Sequence, residues 1–237
     1  MTRAVTAQIR DSTLDAVKLV LKELQTDYVD LMLIHSQKLG KEATIQIWKG
    51  LIAAKKKGLV RAIGVSNMNG QEILDLETAT GELPEVNQIQ FHPWTSHEWK
   101  ELVKWQTMEK NIATTAYTSL GGSRFHQRDP TTPSWPPIVT KLAKKYDATE
   151  SQVLLRWALR QNGVAVIPGA TSEAHISENL HVPKMDGFSD EEAKEIEESE
   201  APKGWFDERR GPVKYSPGSA KKSSAWKGDH TINKVHT

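Results

Sequence analysis

Four short apolar runs in this chain each deliver polar side chains near their ends. VDLMLIH closes on His35, AIGVSN on Ser66 and Asn67, VNQIQ presents Gln88, and IATTAY closes on Tyr117. The set comprises an imidazole able to exchange a proton near neutral pH, two amides that both donate and accept, a hydroxyl and a phenol, a combination suited to gripping a polar ligand. Each run is too short for a core helix and is followed by a helix-like stretch. Strands alternating with helices build a parallel sheet, and such sheets bind ligands where their strands end. The polar ends therefore point at one shared pocket.

Other chemistries find less support. The 237 residues include no cysteine, which excludes disulfides, thiolate catalysis and cysteine-ligated metal centres. His92 and His97 in FHPWTSH, with His126 further on, lack a third ligand at diagnostic spacing, so no metal site is expected. A net charge of +1 gives no global reason to expect nucleic acid or a membrane surface as partner. No run approaches the roughly 18 apolar residues of a membrane helix, and MTRAVTAQIRDS has no signal-peptide core. A soluble cytoplasmic protein is the default expectation.

The elements that position the polar ends follow from periodicity. Ser12 to Leu24 places Leu14, Val17, Leu21 and Leu24 at helical spacing, with Ser12 or Thr13 as cap and Asp15 near the positive end. Strands are expected over 28–34, 60–65, 86–91, 112–117 and 164–167. Between and after them, helices are expected over 43–57, 71–78, 97–110, 138–146, 150–161 and 173–180. The Gly- and Pro-rich loop GGSRFHQRDPTTPSWPP is long enough for a lid or pocket wall. An acidic helix over 190–200 has Ala193 and Ile196 as its apolar anchors. Residues 201–237 carry eight Lys or Arg against three acids and repeated Pro and Gly, so a domain over 1–200 with a disordered basic tail is expected.

The ordered series LMLIHSQ, GLVRAIGVSN, VNQIQFHPW, TTAYTSLGG and LRWALRQNGVAVIPGATSEAHISENL resembles the aldo-keto reductase family. The resemblance implies a (β/α)8 barrel that reduces aldehydes or ketones with a nicotinamide cofactor, NADP being expected and NAD an alternative. His35 then matches the histidine that orients the substrate carbonyl, where an imidazole can donate to the oxygen that gains charge during hydride transfer. Ser66, Asn67 and Gln88 match the residues that hold the nicotinamide carboxamide, and Tyr117 the aromatic whose face stacks on the ring. Thr118, Leu120, Gly121 and Gly122 match the loop along the pyrophosphate, where glycine permits close backbone approach. Gly169 falls where the family often has a base for the 2′-phosphate, and Glu178 and Asn179 match residues at the adenine end. Trp94 and Trp135 sit on strand-end loops and either line a substrate pocket or pack against neighbouring loops. Trp205 and Phe206 are further pocket candidates, because in the family the C-terminal segment often folds over the substrate pocket.

The chain also departs from that pattern. The family joins its histidine to an Asp, a proton-donating Tyr and a Lys supplied well before it, yet 34 residues precede His35 here and their one tyrosine, Tyr28, lies at the far end of the same strand. Five strands are found where a closed barrel has eight. Loss of a positioned general acid typically costs about 10² to 10⁴ in rate, so impaired turnover is expected. An open barrel also leaves two unpaired sheet edges, through which self-association is expected. The alternatives are a non-catalytic nucleotide-binding or subunit-interaction protein, and an incomplete product whose start lies upstream.

Overall fold

The computed structural model describes residues 3–121 and 135–200, with side chains from Gln8 onward. Gly122, His126, Trp205, Phe206 and the tail over 201–237 lie outside the described residues.

The chain alternates helix and strand throughout. Its first half runs α1 (Arg3–Leu24), β1 (Val29–Ile34), α2 (Lys41–Lys56), β2 (Val60–Ser66), α3 (Gly70–Thr80), β3 (Val86–Gln90) and α4 (His97–Lys104). The second half runs β4 (Ala113–Tyr117), α5 (Pro137–Lys145), α6 (Glu150–Leu159), β5 (Val164–Val166), α7 (Glu173–His181) and α8 (Asp190–Glu198). The five strands are parallel and lie in the order β1-β2-β3-β4-β5. That sequential order, with a helical connection between successive strands, is the wall of a (β/α) barrel.

Helices cover one face of the sheet. Val17, Leu21, Trp48, Leu51, Ile63, Val65 and Ile73 form one core cluster under α1, α2 and α3. Ile89, Phe91, Leu102, Leu142, Leu154, Trp157 and Ile196 form a second under α4, α5, α6 and α8. Along β3 the alternation is strict: Asn87 and Ile89 are buried on the helical side, whereas Val86, Gln88 and Gln90 are only partly buried on the other. β4 repeats this with Thr114 and Ala116 inward, and Ala113, Thr115 and Tyr117 on the open face. The chemistry-bearing side chains thus share the face that the helices leave uncovered.

Gly64 lets the strands meet closely. A Cβ there would lie 2.4 Å from the Val86 carbonyl oxygen and 2.7 Å from Leu33 Cδ2.

Two expectations need correction. α1 begins at Arg3, so Ser12 and Thr13 are interior residues and not caps, and the Thr13 hydroxyl donates to the Ile9 carbonyl at 2.9 Å. RAVTAQIR contains no Gly or Pro to stop a helix, and α2 meets this stretch at Gly50, whose Cβ would lie 2.6 Å from Thr13 Cβ. The helix expected over 97–110 is α-helical to Lys104 and then forms a π-helical turn over Trp105–Glu109. That turn carries Gln106 into the core, and β4 starts at Ala113 rather than Ile112.

α8 is anchored as its pattern suggests, with Ala193 and Ile196 essentially inaccessible. Its Glu192 carboxylate takes the Tyr146 hydroxyl at 2.7 Å and the Lys145 ammonium at 2.5 Å. Among the described residues no helix is long and apolar enough to cross a membrane.

Candidate functional site

β1 ends on buried Ile34 and turns His35 out into solvent. β2 ends on Ser66, after which Asn67 adopts a left-handed conformation with φ of 59°. Asparagine tolerates that region better than most residues, because its short polar side chain bonds locally. Met68 then drops fully into the core, and Asn69 caps α3: its side chain accepts from the Glu72 amide at 3.0 Å while its own amide donates to the Glu72 carboxylate at 2.8 Å. Asn67 is therefore fixed between a strand end and a capped helix.

Its side chain joins three strands. The Asn67 Nδ2 group donates to the His35 carbonyl at 3.2 Å and to the Ser66 hydroxyl at 2.9 Å, and Tyr117 donates its hydroxyl to Asn67 Oδ1 at 2.7 Å. The Gln88 carbonyl accepts from the Ser66 hydroxyl at 2.7 Å and from the Asn67 amide at 2.9 Å. Strand register makes this possible, since Ser66 pairs with Gln88, and Gln90 with Tyr117. The Gln88 side-chain amide is partly buried and has no hydrogen-bond partner among the described residues. Burial raises the Tyr117 pKa, which keeps the phenol a donor. Both Asn67 Nδ2 hydrogens are thus committed within the protein, which leaves Asn67 an acceptor lone pair on Oδ1 and Gln88 a whole amide to offer a polar ligand.

Beyond Tyr117 the chain turns sharply. Thr118 has φ of 51°, Gly121 has φ of 90°, and the Gly121 amide closes the turn on the Thr118 carbonyl at 2.8 Å. The Thr118 hydroxyl is buried without a hydrogen-bond partner among the described residues. Leu120 packs against the second core cluster.

The remaining candidates stand apart from this cluster. Gly169 follows β5 in open space, where a Cβ would meet nothing within 4 Å. α7 is capped by Ser172, whose hydroxyl accepts from the His175 amide at 3.2 Å. On that helix the Glu178 carbonyl accepts from the Gln152 side chain at 2.9 Å, and the Asn179 carbonyl accepts from the Val182 amide. No hydrogen bond among the described residues links Gly169, Glu178 or Asn179 to the Asn67 cluster. The Trp94 indole donates to the Ser199 carbonyl at 2.9 Å, tying the loop after β3 to the end of α8. Trp135 packs on the second core cluster.

Two features escaped the reading of the motifs. Gln90 shares the open face with Gln88, and its Nε2 lies 2.9 Å from the Nε2 of His92. Burial, aided by the charge of Lys100, lowers the His92 pKa to about 3, so this ring is neutral and the Gln90 amide donates to it. The period of two along VNQIQ was the available signal for Gln90. The second feature is a buried polar chain behind the site, formed by Asn87, Gln106 and Thr114. Among the described residues no group of three His, Asp or Glu side chains could hold a metal ion.

The family model described as "Aldo/keto reductase family" matches residues 4–201. The methylglyoxal reductase DkgA of Escherichia coli (strain K12) is 34% identical over 176 residues, which are 73% of this chain and 58% of that protein. An aldo-keto reductase of Mycolicibacterium vanbaalenii is 38% identical over 172 residues, 72% of this chain and 57% of that protein. Among solved structures, the Bombyx mori aldo-keto reductase AKR2E4 in complex with NADP superposes with a TM-score of 0.69 at 31% identity, covering 79% of this chain and 62% of that one. Apo Gox0644 gives a TM-score of 0.69 at 32% identity, covering 83% and 67%. The chain thus spans somewhat over half the length of the curated relatives it matches.

Proposed function

This chain belongs to the aldo/keto reductase family, and on that premise we propose that it carries the nicotinamide side of a carbonyl-reducing site. The observation that carries the reading is the hydrogen-bonded set running from Tyr117 through Asn67 to His35, Ser66 and Gln88 at the strand ends. The residues present fit the cofactor: the Gln88 amide offers a free donor and acceptor, and the orphaned Thr118 hydroxyl offers a polar atom on the loop expected along the pyrophosphate.

In this reading Asn67 and Gln88 would hold the carboxamide, the Tyr117 ring would pack on the nicotinamide, and Thr118, Leu120, Gly121 and Gly122 would follow the phosphates. Gly169, Glu178 and Asn179 would serve the adenine end. NADPH is the expected form, with NADH the alternative, and the bound cofactor supplies the hydride. His35, exposed at the end of β1, would donate a hydrogen bond to the carbonyl oxygen of a small aldehyde or ketone as charge builds there. Trp94 and Trp135 are the candidate walls for that substrate.

Among the described residues no tyrosine is placed beside His35 as a matching proton donor. Tyr28 sits before β1, at the opposite end from His35, and the Arg61 guanidinium lies 4.0 Å above its ring. Tyr117 spends its proton on Asn67. We therefore expect these 237 residues alone to bind cofactor and to turn over weakly, about 10² to 10⁴ below a site with a positioned acid. Purified protein titrated with NADPH by fluorescence, and assayed for oxidation of NADPH with methylglyoxal, tests both halves. Absence of saturable binding would contradict the reading, and fast turnover lost on His35→Ala would contradict the weak-turnover half.

The exposed edges support a second element of the proposal. Among the described residues β1 and β5 each have a strand neighbour on one side, and Leu31 on β1 and Ile167 just after β5 are 37% and 48% exposed. Self-association through these edges is expected, and sedimentation at several concentrations measures it. The same reading puts the protein in the cytoplasm.

A further inference from the structure

Behind the open face, a chain of fully buried amides and a hydroxyl links β3 and β4 to the loop after β2. Asn87 on β3 donates through Nδ2 to the Met68 carbonyl at 2.9 Å and to Gln106 Oε1 at 3.0 Å. Gln106 in turn donates through Nε2 to the Thr114 hydroxyl on β4 at 2.5 Å, and its carbonyl accepts the Ile112 amide at 2.7 Å. Asn87, Gln106 and Thr114 are each 0% exposed. The Asn87 Oδ1 atom has no hydrogen-bond partner among the described residues, so two donor bonds alone orient this amide. Turning it over would set an oxygen against the Met68 carbonyl.

The geometry costs something and is confined to one place. A regular α-helix would leave Gln106 in an ordinary turn, whereas the π-helical turn over Trp105–Glu109 widens the backbone where Gln106 enters the core. Such turns recur at functional positions because an extra residue in one turn re-aims a side chain. The far end of the chain grips the carbonyl of Met68, the residue after Asn67, whose φ of 59° is the strained point of the loop. Asn87 also immediately precedes Gln88.

We propose that Gln106 is a positioning residue that acts through Asn87 and the Met68 carbonyl to hold Asn67 in its left-handed conformation, and so sets the grip on the nicotinamide end of the cofactor. The proposal rests on the cofactor reading of Asn67 given above. Without the Gln106 side chain, Asn87 loses one of its two anchors, the Met68 carbonyl loses its fixed donor, and Asn67 relaxes towards ordinary backbone. The adenine end lies beyond β5 and shares none of these bonds.

Two ligands and one exchange measurement test this in the whole chain. For Gln106→Leu, NADPH binding should weaken about tenfold while 2′,5′-ADP, which lacks the nicotinamide, binds as it does to the wild type. Amide exchange at Asn67, whose N–H donates to the Gln88 carbonyl, should quicken while the Ile89 amide stays protected. Thr114→Val, nearly isosteric, removes only the last acceptor and should move the same readouts in the same direction if Gln106→Leu fails to fold. Unchanged NADPH affinity in a variant of a wild type that binds overturns the proposal alone. Equal weakening of both ligands assigns Gln106 a merely structural role and overturns it too. A wild type that binds no NADPH overturns the cofactor reading and this inference with it, and unchanged exchange at Asn67 removes the loop-setting role itself.

Discussion

Replacing Tyr117 by Phe probes the bond that links β4 to the β2 loop. The substitution keeps the ring and deletes one hydroxyl, which donates to Asn67 Oδ1 at 2.7 Å. Both residues are only partly buried, so water can replace part of what is lost. The expected cost is therefore that of an ordinary hydrogen bond, about 1 kcal/mol, and not the larger penalty of a stranded buried acceptor. For a chain of this size that lowers Tm by about 2–4 °C. Because the ring face is unchanged, NADPH affinity should fall only about fivefold, reflecting an Asn67 amide less firmly oriented for the carboxamide. A double-mutant cycle with Asn67→Ala isolates the pair, and its coupling energy should be about 1 kcal/mol. The pH dependence gives an independent check. Burial raises the Tyr117 pKa above 10.0, so the unfolded chain gives up the phenol proton first. Its contribution is complete below pH 10.0 and is lost as pH rises through the raised folded value, and this part of the alkaline decline should vanish in Tyr117→Phe. A coupling energy near zero in the cycle would refute the reasoning.

Other outcomes are equally specific. His92 has its pKa lowered from 6.5 to about 3, so between those values the unfolded chain binds a proton that the folded one refuses, and stability falls with pH by up to about 4 kcal/mol across the window. Glu192, lowered from 4.5 to about 2, chiefly by its bond to Lys145, loses its contribution only as pH drops below 4.5. In urea titrations His92→Gln should thus flatten the stretch from pH 6.5 to 4.5, where Glu192 adds nothing, and lessen the slope from 4.5 down to about 3, where both groups act; an unaltered upper stretch would exclude His92 as its source. Gly64→Ala should cost about 1–3 kcal/mol, because the new methyl lies 2.4 Å from a backbone oxygen in the sheet; a neutral denaturation midpoint would show that β2 and β3 can separate without loss. Gly50→Ala should selectively speed amide exchange in α1, where the methyl would meet Thr13, and uniform exchange would contradict the close α1 to α2 packing.

The strands were legible because runs such as VDLMLI and VRAIGV sit between helical patterns and are covered on their helical face by a continuous core. The start of α1 was not. Ser12 and Thr13 look like caps, yet RAVTAQIR also suits a helix and α2 packs against it at Gly50, so tertiary contact outweighed the local stop signal. The π-helical turn was illegible for a similar reason: Gln106 leaves the helical pattern to reach Asn87 and Thr114, partners that no local period reveals. The strand-end residues could be read as a group, since their spacing followed the βα rhythm. Their connection could not, because the bond between Tyr117 and Asn67 joins residues fifty apart and depends on three strands being in register.

The most direct measurement is a fluorescence titration of the purified 237-residue chain with NADPH, run beside the variant carrying Asn67→Ala and Gln88→Ala. Saturable binding by the wild type, weakened at least about tenfold in the double variant, is the predicted result, since two polar contacts to the carboxamide are removed. No saturable binding by the wild type, or equal affinity in both proteins, would contradict the claim that these strand ends form the nicotinamide side of a reductase site.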